Sequence, residues 1–307
     1  MDRNWALMKR RSALWIRARI IQAIRRFFVD QGYLEVETPH RIPAPAPETY
    51  IDAVPSGSWF LHPSPELCMK RLLASGYERI FQICRVWRDG ERGSQHTPEF
   101  TLLEWYRSGT DYRDLMEECE TMIQTVASSV GLGEVVSSRG HTLTLSAPWE
   151  RISVSDAFHR YARMPMEKAL KADLFDELMA REIAPRLGTE KPTFLYDYPS
   201  ERGALARLKK DNPALAERFE LYIGGVEVAN AFSELVDAKE QRRRFIKEQS
   251  LRREMLKPTY PMPEKFLEEL GGMSPSAGIA LGVDRLVMVL IDAPRIDDVV
   301  AFTPEEL

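Results

Sequence analysis

An α+β fold, with strands that are neighbours in the chain and helices beside them, is what this sequence predicts from three observations. Residues 12–28 place Leu14, Ala18, Ile21, Ile24 and Phe28 at helical spacing, and an extended segment follows. Arg85-Val86-Trp87-Arg88, a short polar loop, and then His96-Thr97-Pro98-Glu99-Phe100-Thr101-Leu102-Leu103-Glu104-Trp105-Tyr106 read as two adjacent strands joined by an arginine-bearing loop. Ala277-Gly278-Ile279-Ala280-Leu281-Gly282-Val283 gives way to Asp284-Arg285 and the apolar run Leu286-Val287-Met288-Val289-Leu290, a strand turning into a buried helix.

Each element has its own local reason. In the first helix Arg17, Arg19, Arg25 and Arg26 lie mostly off the apolar stripe, which gives the helix a core face and a wet face. Gly32 is a stop signal, after which Tyr33-Leu34-Glu35-Val36-Glu37-Thr38-Pro39 alternates apolar and polar like a half-buried strand. Pro43, Pro45 and Pro47 make a stiff, extended connector. Residues 160–187, with Met166, Leu170, Leu174 and Leu178 among acids, read as helical. Taken alone, these patterns say only that a core is being built.

Composition narrows the class. At 307 residues and 44% hydrophobic content the chain can bury a substantial core, as one large domain or a domain with an insertion. No apolar run is long enough to span a membrane, and Met1-Asp2-Arg3-Asn4-Trp5 lacks a signal-peptide pattern, so a cytoplasmic protein is expected. Cys68, Cys84 and Cys119 are odd in number and without metal-ligand spacing, which points to free thiols. The net charge of −4 offers no general attraction to a polyanion such as tRNA. The clusters Lys9-Arg10-Arg11 and Arg242-Arg243-Arg244 are explained at least as well by solvated helix faces.

The arginine-bearing loop carries the first chemical signal. A guanidinium offers planar donors that match phosphate oxygens, and it also stacks on flat rings. Arg88 opposite an aromatic would therefore suit both ends of ATP, whereas alone it also reads as a solvated loop charge. The distant segment around Arg285 shifts the balance, because glycines there let a ligand approach the backbone.

Together these two segments, at about 81–107 and 277–291, resemble motifs 2 and 3 of the class II aminoacyl-tRNA synthetases. The first helix and strand, about 12–39, resemble motif 1, which in that family forms the dimer interface, so a homodimer is implied. Ser64-Pro65-Glu66-Leu67-Cys68-Met69-Lys70-Arg71-Leu72-Leu73, Lys191-Pro192-Thr193-Phe194, Arg218-Phe219-Glu220-Leu221-Tyr222 and Glu227-Val228-Ala229-Asn230-Ala231-Phe232-Ser233-Glu234-Leu235 look like the lysyl branch in order and spacing. The resemblance implies a class II catalytic core, an antiparallel sheet flanked by helices, as a single domain over 1–307 with a small helical insertion at about 160–187. Only about a dozen residues precede motif 1, so no anticodon-binding domain is expected.

The family's chemistry assigns roles to residues. Attack of a carboxylate on the α-phosphate of ATP needs cations that neutralise the charged phosphorus centre, and Arg88 and Arg285 are the catalytic candidates. By resemblance Arg88 contacts the α-phosphate, while Phe100 and Arg285 sandwich the adenine or reach the γ-phosphate side. The implied ATP site also takes in Asp89, Gly90, Glu91, Thr97, Glu227, Val228 and Gly282. Glu227 is placed on ATP or its magnesium, and Glu234 near both metal and substrate. The two glutamates are seven residues apart, so on a strand they face opposite ways unless a bulge intervenes. Without the resemblance, each also reads as a surface acid on a strand rim.

The substrate follows from charge. Glu66, Glu104 and Glu234, which the resemblance brings together beside Tyr106, Ser64 and Pro65, repel an acidic amino acid and favour a dication. Lysine or an isomer of lysine fits. Lysyl-tRNA synthetases usually read Gly-Leu-Gly-Ile-Gly before their Asp-Arg, whereas here Ala280 stands at the middle glycine, and Ser64 replaces their usual alanine. Both changes, with the absent anticodon domain, resemble the bacterial elongation factor P (R)-β-lysine ligase family. That family joins (R)-β-lysine to a lysine of elongation factor P, which makes elongation factor P the expected partner and ATP with magnesium the expected cofactors. Two alternatives remain: a truncated lysyl-tRNA synthetase paralogue using α-lysine with tRNA or a small acceptor, and a non-catalytic nucleotide-binding regulator. The usual Arg-Asn-Glu of the loop is Arg88-Asp89-Gly90-Glu91 here, so either Glu91 reaches one place further to the adenine or backbone alone holds it, and the usual Asn after the loop histidine is Thr97.

Overall fold

The helical spacing at the N-terminus is realised as α1, Trp5–Asp30, in a computed structural model that describes residues 5–203 and 205–307. The stretch 1–4, part of the N-terminus read as free of a signal-peptide pattern, lies outside the described residues. Burial along α1 begins only at Ile20 and continues through Ile24, Phe27 and Phe28. The expected stripe is therefore displaced: Ala18 is exposed and Leu14 half-exposed, both lining an open groove with Leu7, Met8, Arg11 and Trp15. Gly32, at φ +74°, closes the helix, with Tyr33 N–H donating to Phe28 O at 2.9 Å.

The expected strand 33–39 shrinks to β1, Leu34–Glu35. After Val36 N–H donates to Phe81 O the chain leaves the sheet, and Thr38 N–H turns to the Gln82 side chain instead. The other strands of the main sheet, numbered along the chain, are β2 (Arg79–Trp87), β3 (Glu99–Ser108), β4 (Glu150–Ser153), β5 (Thr193–Pro199), β6 (Leu215–Ile223), β7 (Val226–Ser233) and β8 (Ser276–Gly282). Among the described residues they form one eight-stranded sheet in the order β1-β2-β3-β8-β7-β6-β5-β4. The antiparallel sheet flanked by helices is present, with a parallel pair added at each edge, β1 with β2 and β4 with β5. Chain neighbours β2 and β3 pair in full register from Arg79↔Arg107 to Trp87↔Glu99, as the alternation on both sides of the loop predicts.

Alternation divides the sheet into two faces. Phe81, Leu103, Trp105, Ile279, Leu281, Ala229, Ala231, Phe219 and Leu221 pack into the main core with α1, with α3 (Tyr112–Ser129) and with the helix Val283–Leu290. The opposite face carries Glu104, Arg218 and Glu220. Against it lie α2 (Glu66–Ala74) and a long polar helix, α4 (Ala238–Glu254). With Val283–Leu290 as α5, the helices that matter here are complete.

The helical segment expected at 160–187 is broken into short pieces, among them Met166–Lys171 and Phe175–Leu178. Pro165 before the first piece and positive φ at Arg163 and Asp173 prevent a continuous helix. These turns bury Met166, Phe175 and Ile183 against Leu195 and Tyr198 in a small core of their own. The strand that follows starts at Thr193 rather than Lys191.

Candidate active site

Residues opposite one another on paired strands share a face, and register therefore lines up the site. One row across the sheet reads Gln82, Glu104, Ala280, Asn230, Glu220, and the next reads Ile80, Tyr106, Gly278, Phe232, Arg218. Glu227 joins this face through an irregularity. Leu221 pairs with Ala229 and Tyr222 with Glu227, so Val228 is an extra residue on β7, a β-bulge. Val228 and Ala229 both go into the core, and Glu227 emerges on the side of Asn230 and Phe232. The bulge resolves the odd spacing of Glu227 and Glu234.

At one end of this face a cavity of 420 Å³ is lined by Arg88, Glu91, Thr97, Phe100, Glu220, Glu227, Val228, Asn230, Ala280, Gly282 and Arg285, among others. The Arg88 guanidinium lies over the Phe100 ring at 5.1 Å and donates to Pro63 O at 3.4 Å. Arg285 stands on another wall, donating to Glu227 O at 2.9 Å and lying 3.6 Å from the Glu227 carboxylate. It also reaches His96 Nε2 at 2.5 Å, where burial and this cation hold the imidazole below its usual pKa, so the ring accepts. Asp284, before Arg285, is 1% exposed and takes Arg17 at 2.5 Å and Thr101 N–H at 2.6 Å. That anchor ties α5 to α1 and β3, and it fixes where Arg285 starts.

Two loop residues expected at the nucleotide are placed elsewhere. Asp89 and Gly90 are exposed at the tip and do not line the cavity, since Asp89 N–H is held by Asp52 O at 2.7 Å and Gly90 turns at φ +73°. Glu91 does line it, 3.8 Å from Arg88. The inserted glycine thus moves the acid one place along the loop and back to the cavity.

The second half of the site is a buried acidic cluster. Ser64 Oγ donates to Glu104 Oε1 at 2.7 Å and Tyr106 OH to Glu104 Oε2 at 2.8 Å, while Ser64 also accepts Glu66 N–H at the start of α2, where Pro65 is the cap. Burial and the Glu66 charge push Glu104 up to about 8, against the pull of Ser64, Tyr106 and Arg88. Glu234 is pushed up to about 7 by burial, opposed by Lys70 and reinforced by Glu66. A methyl added at Gly278 would stand 2.2 Å from the Tyr106 ring and 2.5 Å from Glu234 Oε1, so glycine is what lets these side chains lie over β8.

Lys70 corrects the charge argument made from sequence. Its ammonium sits 2.5 Å from Glu66 Oε1 and 2.5 Å from Glu234 Oε2, at 1% exposure. The three carboxylates therefore already hold one cation. The i,i+4 spacing of Glu66 and Lys70 on a helix was the readable signal. Glu234 pairs with Lys70 beside Tyr106. The acid beside Glu227 is Glu220, and both line the 420 Å³ cavity. Glu220 is held by Arg218 at 2.5 Å and Tyr222 OH at 2.7 Å, and the charge of Glu220 with burial raises Glu227. Asn230, Arg218, Glu220 and Lys70 are thus site residues that the sequence reading quoted without giving them roles.

Comparison with known proteins agrees in kind. A family model described as tRNA synthetases class II (D, K and N) matches residues 4–306. An elongation factor P–(R)-β-lysine ligase of Enterobacter sp. (strain 638) is 38% identical over 94% of this chain and 93% of its own length. Proteins of the same name from Pectobacterium carotovorum subsp. carotovorum (strain PC1) and Salmonella arizonae are 39% and 38% identical, each over 94% of this chain.

Proposed function

We infer, since this chain belongs to the class II tRNA synthetases (D, K and N) and to the family of the elongation factor P–(R)-β-lysine ligases, that it activates (R)-β-lysine with ATP and passes it to a lysine of elongation factor P. In the first step the amino-acid carboxylate attacks the α-phosphorus and pyrophosphate leaves. In the second, the uncharged amine of the acceptor lysine attacks the acyl carbonyl, AMP departs, and the amine's proton passes to solvent.

Arg88 offsets the charge that builds on the α-phosphate, and Arg285 binds the nucleotide from the Glu227 wall. The hard oxygens of Glu220 and Glu227 suit magnesium, which would neutralise phosphate charge when bound. Glu104, Glu66 and Glu234 receive the two substrate ammonium groups, and the second oxygen of Glu234, buried without a hydrogen-bond partner, is open to one of them.

One observation carries the choice of β-lysine. Ser64 and Ala280, the two departures from the lysyl pattern, converge on a single carboxylate: Ser64 donates to Glu104, and Ala280 stands opposite Glu104 in the sheet register. A shift of an amine by one carbon along the substrate would be felt at that carboxylate.

The reading places the enzyme in the cytoplasm, as one catalytic domain, working as a homodimer through α1. Supporting the dimer, Met8 and Trp15 are 68% and 66% exposed on the face of the open 570 Å³ groove. Supporting the location, no helix among the described residues is long and apolar enough to cross a membrane. Pyrophosphate exchange driven by (R)-β-lysine should exceed that driven by α-lysine, and mass spectrometry should find elongation factor P heavier by one lysyl group only when the enzyme is present. Equal exchange, or charging of tRNA instead, would overturn the assignment.

A further inference from the structure

Lys70 is the one fully buried ammonium among the charged groups of the acidic cluster, and the reaction above does not use it. Charge reaches it from several elements. Glu66 comes from its own helix, Glu234 from the end of β7, and Glu104 with Tyr106 from β3. From the Pro-rich connector Glu48 faces the same cluster through Glu66, and it is offset by Arg88 and Arg218. An ordinary satisfied core lysine would close its network. This one leaves Glu234 Oε1 buried with no hydrogen-bond partner, next to the glycine that makes room for Tyr106.

We propose that Lys70 is a positioning residue for the diamino-acid substrate: locked between Glu66 and Glu234, it aims both carboxylates, and it offsets one of the three carboxylates of the cluster so that two are left for the two ammonium groups of the substrate. The inference rests on the functional reading above. Burial alone would strip Lys70 of its proton, but Glu234 and Glu66 more than offset that, and its pKa is raised. A methionine in its place leaves two carboxylates facing each other without a cation. The first of them to protonate then does so at higher pH, and the substrate meets a pocket that has lost part of its negative charge.

The test compares the parent protein with K70M and K70R in amino-acid-driven pyrophosphate exchange across pH, alongside melting temperature. For K70M the KM for (R)-β-lysine should rise about tenfold or more with the KM for ATP unchanged, and the acid limb of kcat/KM should move up by about one pH unit. K70R, larger in a filled site, should melt lower than the parent yet keep the parental acid limb, which a purely structural role does not explain. A K70M protein with parental KM and acid limb overturns the proposal. If K70M does not fold, K70R decides alone, and a displaced acid limb there overturns it. A parent without exchange sinks the functional reading instead. Binding of (R)-β-lysine alone, by calorimetry over the same pH range, then judges Lys70: weaker binding by K70M supports the role, while equal binding, or a parent that binds none, ends it.

Discussion

At the scale of single residues, the proposed chemistry rests on Arg88, Arg285 and the glutamates near them, and each is set by its neighbours. Replacing Arg285 with Ala removes the cation from the Glu227 wall without touching the core, since Arg285 is only partly buried. Pyrophosphate exchange should fall by about a hundredfold or more while the melting temperature stays close to the parent's. Glu104→Gln removes a charge that sits 1% exposed under Ser64 and Tyr106, and it should raise the KM for the diamino acid by about a hundredfold. The raised acids also predict a proton signature. Glu104 at about 8 and Glu234 at about 7 are partly protonated in the free protein at neutral pH. An ammonium placed opposite them favours the ionised form, so the bound values lie below the free ones. Binding at pH 7 should therefore release protons, and affinity should climb as pH rises toward about 8 and level off above it. Calorimetry in two buffers of different ionisation enthalpy reads this directly. Proton uptake, or affinity indifferent to pH, would contradict it.

At the scale of elements, the site depends on a bulge and on an anchor. The residue types of β7 were readable, but its face was not. A spacing of seven positions puts Glu227 and Glu234 on opposite sides of any regular strand, and only the pairing of β6 with β7 shows the extra residue at Val228. The anchor is Asp284, buried between Arg17 of α1 and the backbone of Thr101. Asp284→Ala leaves the Arg17 guanidinium, 13% exposed, without its partner and should cost about 3–5 kcal/mol in a denaturant titration. The connector with Pro43, Pro45 and Pro47 leads into a segment that is pinned from α4. Fully buried Arg252 donates to Glu48 O at 2.7 Å, Ile51 O at 3.1 Å and Asp52 at 2.7 Å. Nothing in the order of residues pointed to that contact across about 200 positions.

At the scale of the whole molecule, the sheet has one face for the core and one that carries the candidate site, and the first half of α1 has neither. Its apolar groove predicts self-association, and Trp15→Glu should convert a dimer to a monomer in sedimentation velocity with the catalytic face unaltered. A Trp15→Glu protein that sediments as the parent does would remove α1 as the interface.

What the sequence determined by itself is a part of the elements, and the chemical types. Helical spacing, the turn glycine at 32, the strand pair around Arg88 and the small-residue strand before Asp284 are local patterns, and local backbone physics turns them into α1, β2, β3, β8 and α5. What only the tertiary structure decided is which groups meet: Lys70 between Glu66 and Glu234, Glu220 beside Glu227, and Asp89 and Gly90 turned away from the cavity. The physical reason is that register, bulges and burial are set by pairing between distant strands. Charge pairing in a low-dielectric interior depends on distance in space, which the order of residues does not contain.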